Sequence, residues 1–381
     1  MFISAPGSSR LLTKKFQPPR RRFQFKTYSA LPLNSISLLA ADQARNSESK
    51  SKSQPIKVPT IKKNQPSHLV TFKTLNELHL EKVPITVLTA HDFPTARILA
   101  MSASYPNPTL VGPPGIDICL CGDSLANVSL GYSSTTQLGL EEFSYHLKAV
   151  RRGLDSLKQE TFYRIPLLIA DLPFGSFEES IEQGMRTAIK LTQLAQIDGV
   201  KIEGGPELVP LIERLTSYGI PVVAHIGLTP QRTSLLGGFR VQGHDSSIKA
   251  RQIIADALQL EKAGCVALVI EAVPIELVDQ LIPQLSIPVI GIGAGPATDG
   301  QVLVLTDLVG ALDTPIPKFV PNFTSSLNLN FQARPTWEIG LQIINEYVTQ
   351  VRLRKFPQVG QHTYQMKPNV LQELQRKGWS Q

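Results

Sequence analysis

The chain reads as an α/β protein built on a (β/α)8 TIM barrel, and two observations carry that reading. Short, mostly apolar runs recur along it, each followed by a longer pattern of helical period, as in parallel strands covered on both faces. Six successive runs also end in an ionisable side chain. In a parallel barrel all strands end at one rim, where catalytic groups are housed. The runs are 85–90 before Asp92, 116–121 before Asp123, 166–170 before Asp171, 199–202 before Glu203, 221–224 before His225 and 266–270 before Glu271. Residues 287–292 form a seventh strand, and 301–305, which also fits a helix, completes the eight. Helices are expected over 95–100, 140–152, 177–196, 207–218, 246–263 and 274–284. A doubly wound sheet is the rival fold. Its nucleotide-binding form wants a glycine-rich turn after the first strand, whereas here Ala90, His91 and Asp92 follow. The glycines at 291, 293 and 295 come after the seventh strand instead, where their N–H groups would offer a place to an anion.

No acid precedes Asp42, while Arg10, Lys14, Lys15, Arg20, Arg21, Arg22 and Lys26 stand among Ser, Leu and Phe. That is the composition of an organelle transit segment, so 1–41 is read as a leader to the mitochondrial matrix. A basic tail touching nucleic acid is the alternative. The whole chain has 38 basic and 31 acidic residues, net +7, and outside the leader the signs balance, which argues against nucleic-acid binding by the body. Residues 42–68, rich in Ser, Lys, Pro and Gln, are expected to be a disordered linker. The catalytic body then spans 69–364, an ordinary length for one barrel, followed by a C-terminal tail at 365–381. No apolar run approaches the ~20 residues of a membrane span. Cys119, Cys121 and Cys265 lie in or beside strands without a C-x-x-C spacing, and are expected to be small buried hydrophobes.

Asp123, Asp171 and Glu203 end strands 2, 3 and 4, which are neighbours around the mouth. Unpaired, three such carboxylates repel strongly at low effective dielectric. A divalent cation removes the conflict. Oxygen-only donors favour a hard ion such as Mg²⁺, which takes one or two carboxylates and fills its shell with water or substrate oxygens. Zinc would want more His or Cys than His225 supplies. The competing explanation is that the acids cap the helices that follow. Lys201 shares a strand face with Glu203, and either pairs with it or neutralises an anionic substrate. Glu271, at the end of strand 6 across the mouth, lies beside Ala272, Val273 and Pro274, surroundings that suit a proton acceptor. His225 is either a substrate contact or an orienting partner.

The strings G-D-S at 122–124, A-D-L-P-F at 170–174, K-I-E-G-G at 201–205, H-I-G-L-T-P-Q at 225–231, G-G-F-R-V-Q-G at 237–243 and P-V-I-G-I-G-A-G at 288–295 stand in order between about Val70 and Tyr364. Together they strongly resemble the ketopantoate hydroxymethyltransferase (3-methyl-2-oxobutanoate hydroxymethyltransferase) family. The resemblance implies a barrel of the phosphoenolpyruvate/pyruvate type and transfer of a hydroxymethyl group from 5,10-methylenetetrahydrofolate to 3-methyl-2-oxobutanoate. The product would be 2-dehydropantoate, a precursor of pantothenate. The resemblance further implies Mg²⁺ at Asp123, Asp171 and Glu203, keto-acid contacts from Asp123, Ser124, Asp171 and Lys201, a proton acceptor at Glu271, and a homo-oligomer. The glycine-rich loop 227–245 would serve as a lid. A Mg²⁺-dependent lyase or mutase of the same barrel group is the alternative. It would use similar acids on an α-keto acid without folate, but the chain lacks a catalytic cysteine loop of the lyase type. Residues 101–115, 157–164 and 325–335 depart from the compact family pattern. The first two precede strands, so they are expected at the barrel bottom, away from the chemistry.

Overall fold

The computed structural model describes residues 68–104, 112–160, 163–323, 327 and 334–379. The leader, and the linker up to residue 67, lie outside them. Eight parallel strands run in sequence order and close when β8 pairs with β1. They are β1 (Ile85–Thr89), β2 (Ile118–Cys121), β3 (Leu167–Asp171), β4 (Gly199–Glu203), β5 (Val222–Gly227), β6 (Ala267–Glu271), β7 (Val289–Ile292) and β8 (Gly300–Leu303). Nearly every strand residue is buried, since helices cover the outside of a barrel and side chains fill its inside. The run that fitted both strand and helix divides: β8 ends at Leu303 and a single helical turn follows.

Helix α1 (Phe72–Leu80) precedes the barrel. After β1 comes α2 (Phe93–Met101); after β2, α3 (Leu125–Val128) and α4 (Leu140–Asp155); after β3, α5 (Ile181–Ala195); after β4, α6 (Val209–Ser217). Then α7 (Thr233–Leu236) and α8 (Ser247–Lys262) follow β5, α9 (Ile275–Leu281) follows β6 and α10 (Leu305–Leu308) follows β8. With only four residues, α10 is too short to cover a barrel wall. That place is taken by α11 (Thr336–Arg352), which packs on β1 and α2. Its Tyr347 is fully buried and donates its hydroxyl to Gln301 O at 2.6 Å and Val87 O at 3.1 Å. The expected elements did not include α11, although its buried Ile343, Ile344, Tyr347, Val348 and Val351 recur at helical spacing. Residues beyond Tyr364 also hold α12 (Pro368–Lys377), whose Val370 and Leu374 are buried, and Arg251 of α8 donates to Gly378 O at 3.1 Å.

The barrel bottom is closed by charge. Arg352, the last residue of α11, donates to both oxygens of Asp117 at 2.9 and 2.8 Å, and to the carbonyls of Pro84 and Pro113. Arg164 stands 2.7 Å from the same carboxylate, which also accepts from Thr86 N and Oγ1 at 2.7 and 2.9 Å. Burial alone would push the Asp117 carboxyl up, but the two guanidiniums outweigh it and hold it below the usual value. Pro113, Gly115 and Arg164 belong to the departures before β2 and β3, and all contribute here, at the strand starts. The three cysteines are buried and free, and burial pushes the Cys119 and Cys265 thiols up to about 12. No described helix is long and apolar enough to cross a membrane.

Candidate active site

Strand register decides which rim groups meet. Asp171 is paired with Lys201 across β3 and β4, Glu203 with His225 across β4 and β5, and Gly227 with Glu271 across β5 and β6. Side chains at paired positions point to the same face, so Lys201 Nζ lies 2.7 Å from Asp171 Oδ1 and 3.5 Å from Glu203 Oε1. The closer partner is Asp171 and not the strand neighbour Glu203. Burial works against the ammonium, but Asp171, Glu203 and Asp123 together outweigh it and raise its pKa, so Lys201 stays charged.

Asp123 follows β2 and donates its backbone N–H to Asp171 Oδ2 at 2.9 Å. Burial, with the nearby charges of Glu203 and Asp171, pushes its carboxyl well above the usual range. None of the three acids caps a helix. Asp92 does, accepting from Thr95 N at 2.8 Å and Thr95 Oγ1 at 2.6 Å, so the capping explanation holds for that rim acid.

His225 bridges the two sides of the mouth. Its Nδ1 lies 3.1 Å from Glu203 Oε1 and its Nε2 lies 3.3 Å from Glu271 Oε2. Neither contact is aligned as a hydrogen bond, so the attraction is mainly coulombic. Burial disfavours the imidazolium, but Glu203 more than compensates and raises His225 to about 9. In return His225, followed by Lys201, overcomes the effect of burial on Glu203 and lowers it to about 2. Glu271 therefore does not stand apart from the other acids, as its strand position implied; it reaches Glu203 through one imidazolium.

Two further residues enter the site. Gln231, on the loop after β5, donates Nε2 to Asp123 Oδ2 and to Leu172 O, each at 3.0 Å, while its backbone N–H donates to Glu203 Oε2 at 3.0 Å. The expected lid is thus latched onto the acids by a residue inside the 225–231 string. His91 is buried with Nδ1 3.1 Å from Ser129 Oγ and Nε2 3.4 Å from Ser124 Oγ. Burial and then His146 lower it to about 4, which leaves a neutral imidazole beside Ser124 at physiological pH. The only signal for His91 was its place after the first strand. Among the 291–295 glycines, Gly293 (φ +64°) and Gly295 (φ +89°) are left-handed, and an added Cβ would come within 2.8 Å of Phe319 and 2.7 Å of Ile275.

The donor set fits a hard cation. The four carboxyl groups of Asp123, Asp171, Glu203 and Glu271 face only two basic groups, Lys201 and His225, so the acids are in excess. Among the described residues no three His, Cys, Asp or Glu side chains gather closely enough to enclose an ion by themselves. Mg²⁺ asks for one or two carboxylates and keeps water or substrate oxygens for the rest.

Closed strands, a buried lysine and strand-end acids define a (β/α)8-barrel enzyme. The chain belongs to the family described as ketopantoate hydroxymethyltransferase, whose profile matches residues 69–359. Three relatives are each named 3-methyl-2-oxobutanoate hydroxymethyltransferase. The one from Emericella nidulans is 41% identical over 311 residues, covering 82% of this chain and 80% of the relative. The one from Bacillus cereus is 42% identical over 284 residues, 74% of this chain and 90% of its own. The one from Saccharomyces cerevisiae is 38% identical over 316 residues, 81% and 91%. Among solved structures, a phosphoenolpyruvate phosphomutase from Streptomyces platensis subsp. rosaceus aligns with a TM-score of 0.46 at 14% identity, covering 73% of this chain and 96% of that one.

Proposed function

We propose that this chain transfers a hydroxymethyl group to 3-methyl-2-oxobutanoate, giving 2-dehydropantoate, with 5,10-methylenetetrahydrofolate as donor. One observation carries the reading within this family: the register seats a buried lysine between Asp171 and Glu203, and links them through His225 to Glu271. Lys201 is the cation for the substrate carboxylate. Ser124, held by neutral His91, offers a hydroxyl to the same group. Asp123, Asp171 and Glu203 are the residues that would hold Mg²⁺. When bound, the ion supplies a Lewis acid that draws electrons from the keto group and acidifies the C3 hydrogen.

Glu271 takes that proton through its carboxylate, and His225 fixes its orientation from the Glu203 side. Water adds to the methylene carbon of the donor as both of its C–N bonds break, which releases tetrahydrofolate and leaves a one-carbon unit at the oxidation level of formaldehyde. The carbanion attacks that carbon, and the proton held by Glu271 passes to the oxygen to complete the hydroxymethyl group. Gln231 must leave Asp123 for substrate to enter, so movement of the loop after β5 gates the site. The acid-free leader supports a mitochondrial matrix address, and the mature chain is read as a homo-oligomer. The test combines purified protein, Mg²⁺, 3-methyl-2-oxobutanoate and methylenetetrahydrofolate. Appearance of 2-dehydropantoate supports the reading, and folded protein that yields none under these conditions sinks it.

A further inference from the structure

The loop from β5 to α8 leaves and rejoins the rim at the catalytic strand. Leu228 N donates to Glu271 O and Gln242 N to Ala272 O, each at 2.9 Å. Its outer side forms a groove of about 360 Å³ lined by Arg240, Gln242, His244, Asp245 and Lys249, among others. Arg240 and Lys249 are exposed, and neither forms an ion pair among the described residues. The groove wall is fixed from behind, since Lys367 N donates to His244 O at 2.9 Å. The same loop exposes two large apolar side chains outside the groove's lining, Leu235 (85%) and Phe239 (66%).

We propose that this groove is the subsite for the carboxylated tail of the one-carbon donor, with Arg240 and Lys249 binding its carboxylates. The inference rests on the function proposed above and adds the residues that hold its second substrate. The donor must bring the methylene carbon between its N5 and N10 to the acid cluster, while its glutamate carboxylates, at the far end of the molecule, stay outside. Inside, Asp123, Asp171 and Glu203 would repel those carboxylates. The groove's Gln242 is bonded to Ala272, the residue after Glu271, and its wall supplies two cations that form no ion pair among the described residues. Asp245 is the groove's opposing charge.

The test is steady-state kinetics of the full-length enzyme with donor concentration varied. Arg240→Gln and Lys249→Gln should each raise the donor KM by about five- to tenfold, the worth of one charge-assisted contact. The double variant should raise it further, and Asp245→Asn should lower it. The keto-acid KM, and exchange of the C3 hydrogen in deuterated water without donor, should stay at wild-type values. A donor lacking the glutamate should be a poor substrate for wild type, and the double variant should no longer discriminate against it. Wild-type donor KM values in both single variants would overturn the subsite. If wild-type enzyme exchanges deuterium but does not turn over with the folate donor, the donor assignment falls and takes the subsite with it.

Discussion

Arg352→Met tests whether the barrel bottom is held by one buried ion pair. The substitution keeps an apolar stem and removes two charge-assisted bonds to Asp117, along with the donors to the Pro84 and Pro113 carbonyls. Breaking a buried pair from one side costs about 3–5 kcal/mol. Arg164, 2.7 Å from Asp117, still neutralises the carboxylate, so the loss should fall near the lower end, about 3 kcal/mol. Urea unfolding at neutral pH with an unchanged slope would measure it. Adding Arg164→Met leaves Asp117 with Thr86 alone, so the second substitution should cost more in the Arg352→Met background than by itself. The pH dependence should then invert. In wild type the folded Asp117 carboxyl is held below 3.8, so its contribution is present above that value and lost as pH falls through the folded one. In the double variant burial governs, the folded value is raised, and stability is lost as pH rises. Activity per folded molecule should hold, because Asp117 lies at the strand starts. A loss under about 1 kcal/mol, or strictly additive costs, would refute the reasoning.

At the opposite end, Glu271→Gln should slow donor-free C3 hydrogen exchange by about 10²- to 10⁴-fold, while keto-acid binding, followed by calorimetry, persists. Exchange at the wild-type rate would assign the proton to another rim group. Asp123→Asn should abolish activity and Mg²⁺ dependence, yet stabilise the metal-free protein, since it removes a carboxyl whose charge is disfavoured by burial and by the neighbouring acids. Full turnover in a chelator, with metal shown to be absent, would exclude the ion. A reporter fused behind residues 1–41 should enter mitochondria, and cytosolic residence of the fusion would count against the leader.

Much of the fold was legible because parallel strands announce themselves as apolar runs, and the acids at 123, 171, 203 and 271 stood at their ends. Helix α11 was not, because it takes the eighth position only after a long connection and no strand precedes it directly. Asp92 looked equivalent to the other rim acids, but it is exposed and has Thr95 one turn ahead to complete a cap. Gln231 carried no ionisable signal, and becomes visible only when its loop folds back over Asp123.

The sequence by itself determined the barrel, the rim of acids and a lysine among them, since period and strand ends depend on local order alone. The tertiary structure decided the partners. Lys201 pairs with Asp171 and His225 joins Glu203 to Glu271 because β-register sets which residues of neighbouring strands stand side by side. No spacing along one strand contains that offset. The same holds for Asp117 and Arg352, 235 positions apart, which meet only once the barrel has closed.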